Sequence, residues 1–410
     1  MKHFKYLIIG GGVAGTTAAE TIRKLDNDGS IAIISDEKYP IYSRIILPQY
    51  IKGQVPRERL FLKPKGWYES LNIEFWLGVK VVKINGENHK VKLDSGEEIG
   101  FEKLLIASGG QPIKWNIPGV ELSGVCRMQY LDDADQIIKL VAKTKKAVVV
   151  GGGFIGLELA EIFVHFKLPC QLLVLEPYVW ANLVDETQGK MIEEYLVKGG
   201  VEIKRSTKVV QVLGKNKAEG VKTADGKTID CDLVGVGIGV APELSFLKNS
   251  GIEFKSGVLT NEYLQTNIEG IFAAGDCCEF YDVVRCLVHC FGNWSNSTIQ
   301  GKVAGQNMAG ERVVYEAVTS HLIKVFGLSL AIIGDCAPRE DVEVVDRGSK
   351  EIGKYGRILF ADGQIVGATL INLTEEMPII QYLIGKRTKI FDNQRLADLN
   401  FKFSELIASS

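Results

Sequence analysis

The feature that most constrains this chain is a glycine-rich turn between a short apolar strand and a helix, and it occurs twice. The first copy, residues 10–15 (GGGVAG), follows the apolar run 6–9 and opens a helical pattern. The second copy, residues 151–156 (GGGFIG), lies about 140 positions later in the same surroundings. An acidic residue follows each turn after about 20 residues, Asp36 in the first copy and Glu176 in the second. The strands predicted beside these features lie at 31–35 and 171–175, directly before the two acids, and at 147–150, directly before the second turn. This pattern predicts two strand–turn–helix units of the α/β type.

The spacing of the glycines fits a site for dinucleotide phosphates. The first glycine permits a tight turn, the second lets backbone N–H groups approach a pyrophosphate, and the third lets the helix pack closely on the strand. The helix N-terminus favours negative charge, and the acid accepts hydrogen bonds from a ribose diol. Glycine turns in ordinary α/β units are the alternative, which the paired strand, helix and acid disfavour. The residues predicted to bind nucleotide in these units are Gly10, Gly12, Val13, Ala14, Gly15, Asp36, Glu37, Gly151, Gly153, Phe154, Ile155, Gly156 and Glu176.

The second acid also indicates which nicotinamide nucleotide is bound. Residues 177–181 (PYVWA), directly after Glu176, contain no basic side chain to receive a 2′-phosphate. The carboxylate itself repels a phosphate, so the sequence favours NADH over NADPH. A basic residue brought in from elsewhere in the fold stays open as the alternative.

Length and composition exclude several classes of protein. A chain of 410 residues is long enough for two or three domains of about 100–200 residues. The net charge of −2 gives no overall electrostatic basis for binding nucleic acid. No apolar run approaches the roughly 18 residues of a membrane span, and the N-terminus enters a strand directly. We therefore predict a cytoplasmic protein that binds neither nucleic acid nor a membrane.

Two further apolar segments end in glycine, at residues 104–110 (LLIASGG) and 271–276 (IFAAGD). With the two glycine turns they form four motifs whose order resembles that of the FAD-dependent pyridine nucleotide oxidoreductases. The resemblance implies an FAD domain that is interrupted by an NAD domain and completed after it. It also implies that Asp276 binds the ribityl or pyrophosphate part of FAD and that residues 107–109 close over it. The other cofactor-binding residues expected are Arg44, Val81, Ala107, Ser108, Gly109, Gly239 and Gly275.

The predicted fold class is therefore α/β, with two Rossmann-like nucleotide-binding domains and a C-terminal α+β domain. The resemblance assigns residues 1–113 and 244–312 to the FAD domain and residues 114–243 to the NAD domain. Residues 313–410 form the C-terminal cap or interface domain. Its predicted strands lie at 329–333, 341–345, 357–360 and 365–370. The apolar tail 391–410 either packs on the protein's own surface, which we favour, or anchors a partner chain or second subunit.

The route of the electrons depends on residues 42–51 (YSRIILPQYI), which contain no cysteine. Disulfide reductases of the family keep a CxxxxC pair there, and NADH oxidases, peroxidases and coenzyme A disulfide reductases keep a single cysteine. A thiol relay needs a low-pKa thiol against the flavin, so its absence argues against disulfide or peroxide chemistry. The spacing of Tyr42, Arg44 and Leu47 instead resembles ferredoxin and rubredoxin reductases and the flavin modules of nitrite reductases.

Three residues are predicted to be catalytic: Glu158, Trp294 and Gln49. Residues 294–301 (WSNSTIQG) resemble a pattern of oxygenase-coupled ferredoxin reductases, which implies that Trp294 lies beside the flavin ring; a packed core aromatic is the alternative. Glu158 matches a glutamate that pairs in those enzymes with a lysine near flavin N5, and Gln49 stands at the lysine position. Burial is expected to raise the pKa of a lone Glu158 carboxyl. Arg44 as a substitute cation and Gln49 as a neutral partner both stay open.

These observations lead to the hypothesis of an NADH-dependent FAD oxidoreductase that passes electrons to an iron–sulfur protein of the rubredoxin or ferredoxin type. Three alternatives stay open: a flavin subunit of a nitrite-reductase-like complex, an NADH oxidase or disulfide reductase using a non-standard cysteine such as Cys277, and a redox-sensing protein resembling apoptosis-inducing factor. A homodimer and a subunit of a larger redox complex are both compatible with the sequence. No metal site is predicted, because the cysteines lack the repeated CxxC spacing of zinc and iron–sulfur sites.

Overall fold

The computed structural model describes residues 1–336 and 342–408, which divide into two compact units. Unit 1 comprises Met1–Ile45, Arg57–Gln111 and Val240–Ala317. Unit 2 comprises Ile46–Pro56, Pro112–Gly239 and the residues from Val318 onward. Residues 46–56 fall within the first predicted domain and belong to unit 2. Which nucleotide each predicted segment binds, and the predicted domain limits, stay predictions.

The strands of both units follow in chain order. Strands up to the second glycine turn are β1 Lys2–Ile9, β2 Ile31–Ser35, β3 Ile73–Leu77, β4 Val81–Asn85, β5 Lys90–Leu93, β6 Glu98–Ile106, β7 Gln111–Pro112, β8 Val125–Cys126 and β9 Ala147–Val150. The next are β10 Cys170–Leu173, β11 Val201–Lys204, β12 Val209–Leu213, β13 Gly220–Thr223, β14 Thr228–Asp230, β15 Leu233–Val236, β16 Val240–Ala241, β17 Val258–Leu259, β18 Ile271–Ala273, β19 Cys278–Asp282 and β20 Leu287–Cys290. The last are β21 Ser320–Val325, β22 Leu328–Gly334, β23 Glu343–Ser349, β24 Lys354–Ala361 and β25 Gln364–Ile371.

The helices include two long ones that begin at the glycine turns. The α-helices are α1 Val13–Leu25, α2 Leu47–Ile51, α3 Trp67–Ser70, α4 Leu131–Val141, α5 Phe154–His165, α6 Glu186–Lys198, α7 Trp294–Met308, α8 Met377–Gly385 and α9 Glu405–Ala408. Short 3-10 helices cover Arg57–Leu60, Ser245–Leu247, Thr374–Glu376 and Asn393–Ala397. No helix in the described part of the chain is long and apolar enough to cross a membrane.

The main sheet of unit 1 is built around β1 and β6. Strands β3, β2, β1 and β6 run parallel, and β5 and β4 extend the sheet in antiparallel fashion. Strand β18 also pairs in parallel with the C-terminal part of β6, from Leu104 to Ile106. Near-continuous apolar runs such as 31–34 and 104–106 are buried, as expected for parallel strands covered on both faces. The carboxyl ends of β1, β6 and β18 therefore meet at one edge.

Unit 2 contains the second parallel sheet and the C-terminal sheet. Strands β11, β10, β9, β15 and β8 are all parallel, in that order. The C-terminal sheet has the antiparallel order β21, β22, β25, β24 and β23. Its predicted strands match β22, β24 and β25 within a few residues. The predicted strand 341–345 begins at Asp341, which lies outside the described residues, and the strand found there is β23.

The apolar tail packs on unit 2 itself through part of its length. Leu396, Phe401 and Phe403 are buried, whereas Phe391 is 97% exposed. Burial of three large side chains explains how a segment with little regular structure keeps one position. The predicted α/β class, with two nucleotide-type units and a C-terminal α+β segment, is confirmed.

Candidate functional site

Two glycines of the first turn, Gly10 and Gly15, pack against backbone atoms and leave no room for a side chain. Gly10 has φ +111°, and a Cβ built on it would lie 2.0 Å from the backbone oxygen of Ala107 at the end of β6. A Cβ on Gly15 would lie 2.0 Å from the Gly10 oxygen. These two glycines therefore let β1, α1 and β6 approach one another more closely than any side chain would permit.

The middle of the same turn is open. Gly12 is the N-cap of α1, and a Cβ on it would meet no described atom within 4 Å. No side chain among the described residues caps this helix, so the backbone N–H groups of its first turn, which begins at Val13 and Ala14, have no side-chain acceptor. Uncapped N–H groups at a helix N-terminus suit the oxygens of a pyrophosphate, so this cradle fits the predicted flavin nucleotide.

Unit 2 repeats this geometry at the second turn. Gly151 has φ +104°, and its Cβ would lie 2.3 Å from the oxygen of Gly237, just past β15. A Cβ on Gly156 would lie 1.9 Å from the Gly151 oxygen. Gly153, the N-cap of α5, again has no capping side chain within the described chain, and its nearest contact is at 3.9 Å. The helix starts with Phe154 and Ile155, so the fit to a dinucleotide is the same.

The acids after the second strands differ in their surroundings. Asp36 is exposed one residue beyond β2. Glu37 accepts hydrogen bonds from the Tyr42 hydroxyl at 2.6 Å and from Arg44 Nη2 at 2.5 Å. Asp36 is thus the acid that faces solvent near the first turn, and Glu37 positions the Tyr42–Arg44 segment.

Val81 lies near the same edge of unit 1. The backbone N–H of Val79, two residues before β4, donates to the Ser35 oxygen at the end of β2, at 2.9 Å. Val81 itself is buried at the start of β4. Its predicted cofactor contact stays a prediction.

Residues from three distant parts of the sequence meet at the carboxyl edge of the unit 1 sheet. Ile106 is in register with Ala273, which brings residues 107–109 beside Gly275 and Asp276. Asp276 Oδ1 accepts a hydrogen bond from Ser297 at 3.2 Å. Burial raises the pKa of the Asp276 carboxyl, and the Ser297 hydroxyl and the Arg44 charge oppose that rise. The structure therefore brings the predicted segments 107–109, 275–276 and 294–301 together with the first glycine turn.

Trp294 opens α7, the helix that packs on α1. A Cβ on Gly301 would lie 2.3 Å from the oxygen of Ala14, so the two helices touch through their backbones. The side-chain oxygen of Gln300 accepts a hydrogen bond from the Gly275 N–H at 2.7 Å. Trp294 is half-buried against the core of unit 1. The next turn of this helix carries Ser297, whose hydroxyl donates a hydrogen bond to Asp276.

The predicted residues of unit 2 lie beyond the ends of its parallel strands. Glu176 follows three residues after β10, which ends at Leu173 rather than at 175 as the sequence pattern indicates. Gly239, with φ +105°, accepts a hydrogen bond from the Ile113 N–H at 3.0 Å. The N–H of Ser206 donates a hydrogen bond to the backbone oxygen of Glu176. Arg205, the residue before Ser206, donates from Nη2 to Glu193 Oε2 at 2.6 Å. The arginine close to Glu176 is thus already paired with a carboxylate.

Glu158 and Gln49 line one cavity of unit 2. The cavity encloses about 440 Å³ between α2, α5 and the β21–β22 turn. Lys52, one helical turn after Gln49, binds Glu161 at 2.7 Å, and Glu161 lies one turn after Glu158. Burial and the Glu161 charge raise the pKa of Glu158 to about 7, with Lys52 acting against the rise. The raised pKa agrees with the expectation from sequence.

Lys52 is the residue that sequence reasoning missed. A lysine three positions after Gln49 is visible in the sequence, and helical spacing places both on one face. Arg44, considered as the substitute cation, is bound by Glu37 in unit 1. The Lys52–Glu161 ion pair thus lies one helical turn further along the chain, at both residues, than the Gln49 and Glu158 positions that the family pattern implies.

Five of the eight cysteines are buried, and no disulfide joins cysteines within residues 1–336 and 342–408. Cys277 and Cys278 lie directly after Asp276, and burial raises the pKa of both thiols. His289 Nε2 lies 3.2 Å from Asp282, in the β19–β20 hairpin next to Cys286 and Cys290. Within residues 1–336 and 342–408, no group of three or more His, Cys, Asp or Glu side chains is placed to hold a metal ion.

Two glycine-turn cradles in one chain fit two dinucleotides. Residues 4–301 match the pyridine nucleotide-disulphide oxidoreductase family, and residues 320–388 match the C-terminal domain of rubredoxin NAD+ reductase. The chain belongs to the pyridine nucleotide-disulphide oxidoreductase family, in the branch similar to rubredoxin and ferredoxin reductases. The predicted NAD(H)-dependent FAD oxidoreductase, with FAD and NAD(H) as cofactors, is confirmed at this level.

Known relatives agree with this assignment. The NADH-rubredoxin oxidoreductase of Clostridium acetobutylicum is 31% identical over 90% of this chain and 92% of its own length. The nitrite reductase [NAD(P)H] of Bacillus subtilis is 29% identical over 96% of this chain, which spans only 48% of that protein. The crystal structure of the ferredoxin reductase for the CYP199A2 system from Rhodopseudomonas palustris has a TM-score of 0.91 at 25% identity, covering 98% of this chain and 99% of that one.

Proposed function

We propose that this protein is an NADH-dependent FAD oxidoreductase that passes electrons to an iron–sulfur carrier protein of the rubredoxin or ferredoxin type. The observation that carries the proposal is the pair of open nucleotide cradles combined with a cysteine-free segment at 42–51. Relatives named as rubredoxin or ferredoxin reductases support it. FAD, when bound, accepts a hydride from NADH and releases the two electrons one at a time.

The residues of unit 1 have defined roles in holding the flavin nucleotide. The uncapped start of α1 binds phosphate oxygens, and Asp36 accepts from a ribose diol. Asp276, kept in place by Ser297, receives the polar chain of the cofactor. Trp294 screens the flavin ring from water. Residues 107–109 complete the wall of the cradle.

Unit 2 holds the nicotinamide nucleotide in the same manner. The start of α5 at Gly153 binds the phosphates, and Glu176 binds the adenosine ribose. Glu193 occupies Arg205, so that guanidinium is committed and does not serve a 2′-phosphate. This arrangement supports NADH as the substrate. We also propose that the protein works in the cytoplasm, where proteins of this kind keep their cysteines out of disulfides.

A second candidate is a flavin module within a larger enzyme. The chain spans about half of the Bacillus subtilis nitrite reductase and, similarly, 48% of the assimilatory nitrate reductase electron transfer subunit. The acceptor is then an iron–sulfur centre of a partner subunit rather than a diffusing carrier. Isolation of the protein with its natural neighbours separates the two candidates, because a module co-purifies with one partner in fixed ratio.

Anaerobic rapid mixing tests the main proposal. NADH is expected to bleach the flavin absorbance, and the reduced protein is expected to reduce a rubredoxin or a ferredoxin. NADPH at the same concentration is the matched control, with slower bleaching expected because Glu176 repels the 2′-phosphate. A flavin that NADH does not bleach, or a reduced protein that reduces no iron–sulfur carrier, contradicts the proposal. A long-lived NADH–flavin complex with very slow turnover indicates the redox-sensing alternative instead.

A further inference from the structure

The inference concerns Glu158 in the cavity of unit 2, and it rests on the proposed NADH site. Glu158 lies on α5, five residues after Gly153, which is about 7.5 Å along the helix axis. The proposed phosphate cradle is at the start of the same helix. Glu176 takes the adenosine end of the nucleotide, so the nicotinamide end lies on the other side of the phosphates. The inference places the carboxyl of Glu158, which lines the cavity, beside that end.

Of the two lysines that line this cavity, the one near Gln49, Lys52, is already committed to a different carboxylate. Lys52 Nζ binds Glu161 Oε2 at 2.7 Å, and Glu161 Oε1 accepts the Phe326 N–H at 2.6 Å. Both oxygens of Glu161 are thereby used. Within the described residues, no hydrogen bond to a protein group stabilises the Glu158 carboxylate. Its ionisation is therefore governed by burial and by the neighbouring Glu161 charge, which bring its pKa to about 7.

The two redox forms of the ligand differ in the charge that faces this carboxyl. The oxidised nicotinamide ring is a pyridinium cation, and the reduced ring is neutral. An ionised carboxylate attracts the cation, whereas burying it against a neutral ring costs solvation. A protonated carboxyl has neither effect. We propose that Glu158 sets the preference of this site for reduced or oxidised nucleotide according to whether its carboxyl carries a proton.

The sign of the effect follows from the ionisation of Glu158. Above about pH 7 the carboxylate form dominates, so the oxidised nucleotide is bound more tightly relative to the reduced one; below about pH 7 the carboxyl is protonated and this preference is lost. The other charged groups that line the cavity are Lys52 directly after α2, Glu161 of α5 and Lys324 of β21. Thr374 and Ser329 contribute neutral hydroxyls. Substitution of Glu158 alone separates its contribution from theirs.

Binding to the FAD-loaded protein provides the test, by calorimetry with two probes that leave the flavin oxidised. One probe is NAD+, and the other is tetrahydro-NAD, whose ring is neutral and donates no hydride. In the wild type the ratio of their dissociation constants is expected to shift about tenfold toward NAD+ between about pH 6 and about pH 8.5. Glu158→Gln is expected to remove that shift. Glu121→Gln, an exposed glutamate of the same unit, serves as the matched control and keeps it.

A second variant covers the case in which Glu158→Gln does not fold. Lys52→Met removes the cation that lowers the pKa of Glu158, so the midpoint of the shift is expected to move to higher pH. A ratio that does not change with pH in the wild type, or a shift that survives in Glu158→Gln, overturns the inference while the NADH site stands. Failure of both probes to bind at any pH overturns the NADH site itself, and the inference with it.

Discussion

The glycines of the first turn differ in what surrounds them, and this difference decides the expected effect of a substitution at each one. Gly10 and Gly15 are in contact with backbone atoms, so their small size holds the unit together. Gly12 faces open space and has φ −72°, a value that alanine adopts freely. The space in front of Gly12 is the space assigned to the cofactor. A larger side chain at Gly12 is thus expected to hinder the ligand, whereas a larger side chain at Gly15 is expected to disturb the fold.

Alanine substitutions at Gly12 and Gly15 test this division. Gly12→Ala is expected to leave the thermal unfolding temperature of the FAD-free protein unchanged and to weaken FAD binding about tenfold or more, because the methyl group occupies the cradle. Gly15→Ala is expected to destabilise the FAD-free protein by about 1–3 kcal/mol, because the methyl group meets the Gly10 oxygen. Flavin titration and thermal unfolding measure both effects. Equal loss of stability in the two variants contradicts the division.

Glu158 shows what sequence predicts about a single residue and what it does not. Its place one turn into the helix and its raised pKa follow from local spacing and partial burial. The pairing of the neighbouring Glu161 with Lys52 does not, because these two residues are far apart in sequence and meet only once α2 packs against α5. The choice between Lys52 and other cations depends on packing, which no single-sequence pattern encodes.

At the level of elements, the buried strands are the best predicted and the segments shaped by tertiary contacts are the worst. Strands β2 and β9 are predicted residue for residue, because each is a short apolar run next to a turn signal. Strand β1 begins at Lys2 rather than at residue 6, since pairing with β6 extends it through alternating polar positions. No local sequence pattern indicates that residues 46–56 belong to unit 2.

The C-terminal tail depends on one buried arginine of β23. Arg347 is fully buried and binds both oxygens of Glu376, at 2.7–3.1 Å. Its remaining N–H groups donate to backbone oxygens of the tail, at Leu396 with 2.7 Å and at Phe401 with 2.9 Å. The guanidinium also lies 5.1 Å from the ring centre of Phe403. One side chain therefore satisfies the tail backbone and joins it to the C-terminal sheet.

Removal of this guanidinium is expected to release the tail. Arg347→Met leaves the Glu376 carboxylate and the tail carbonyls of Leu396, Asp398 and Phe401 without their donor, at a cost of about 3–5 kcal/mol. Limited proteolysis is expected to cut within residues 391–408 in the variant before the rest of the chain unfolds. Lys386→Met, at an exposed site, is the control and should resist like the wild type. A double variant with Glu376→Gln recovers part of the stability. Unchanged proteolysis of Arg347→Met contradicts this role.

For the whole molecule, the central question is whether electrons leave through a thiol or directly to another protein. Cys277 is the cysteine closest to the proposed flavin site, next to Asp276, and it is fully buried. Its Sγ lies 3.4 Å from the Ile106 oxygen, and burial raises the pKa of the thiol. A redox thiol needs the opposite conditions, a lowered pKa and access to its substrate. The surroundings of Cys277 therefore favour direct electron transfer.

Alkylation of the FAD-loaded protein tests this route. Iodoacetamide is expected to label the exposed Cys286 and to leave Cys277 and Cys278 unmodified, as mass spectrometry will show. NADH-driven reduction of an iron–sulfur carrier should stay within about twofold of the untreated protein, and Cys277→Ser should behave in the same way. The serine keeps the size of the side chain but has no redox chemistry. If Cys277→Ser retains FAD yet loses electron transfer, the thiol is part of the route and the disulfide-reductase alternative is favoured.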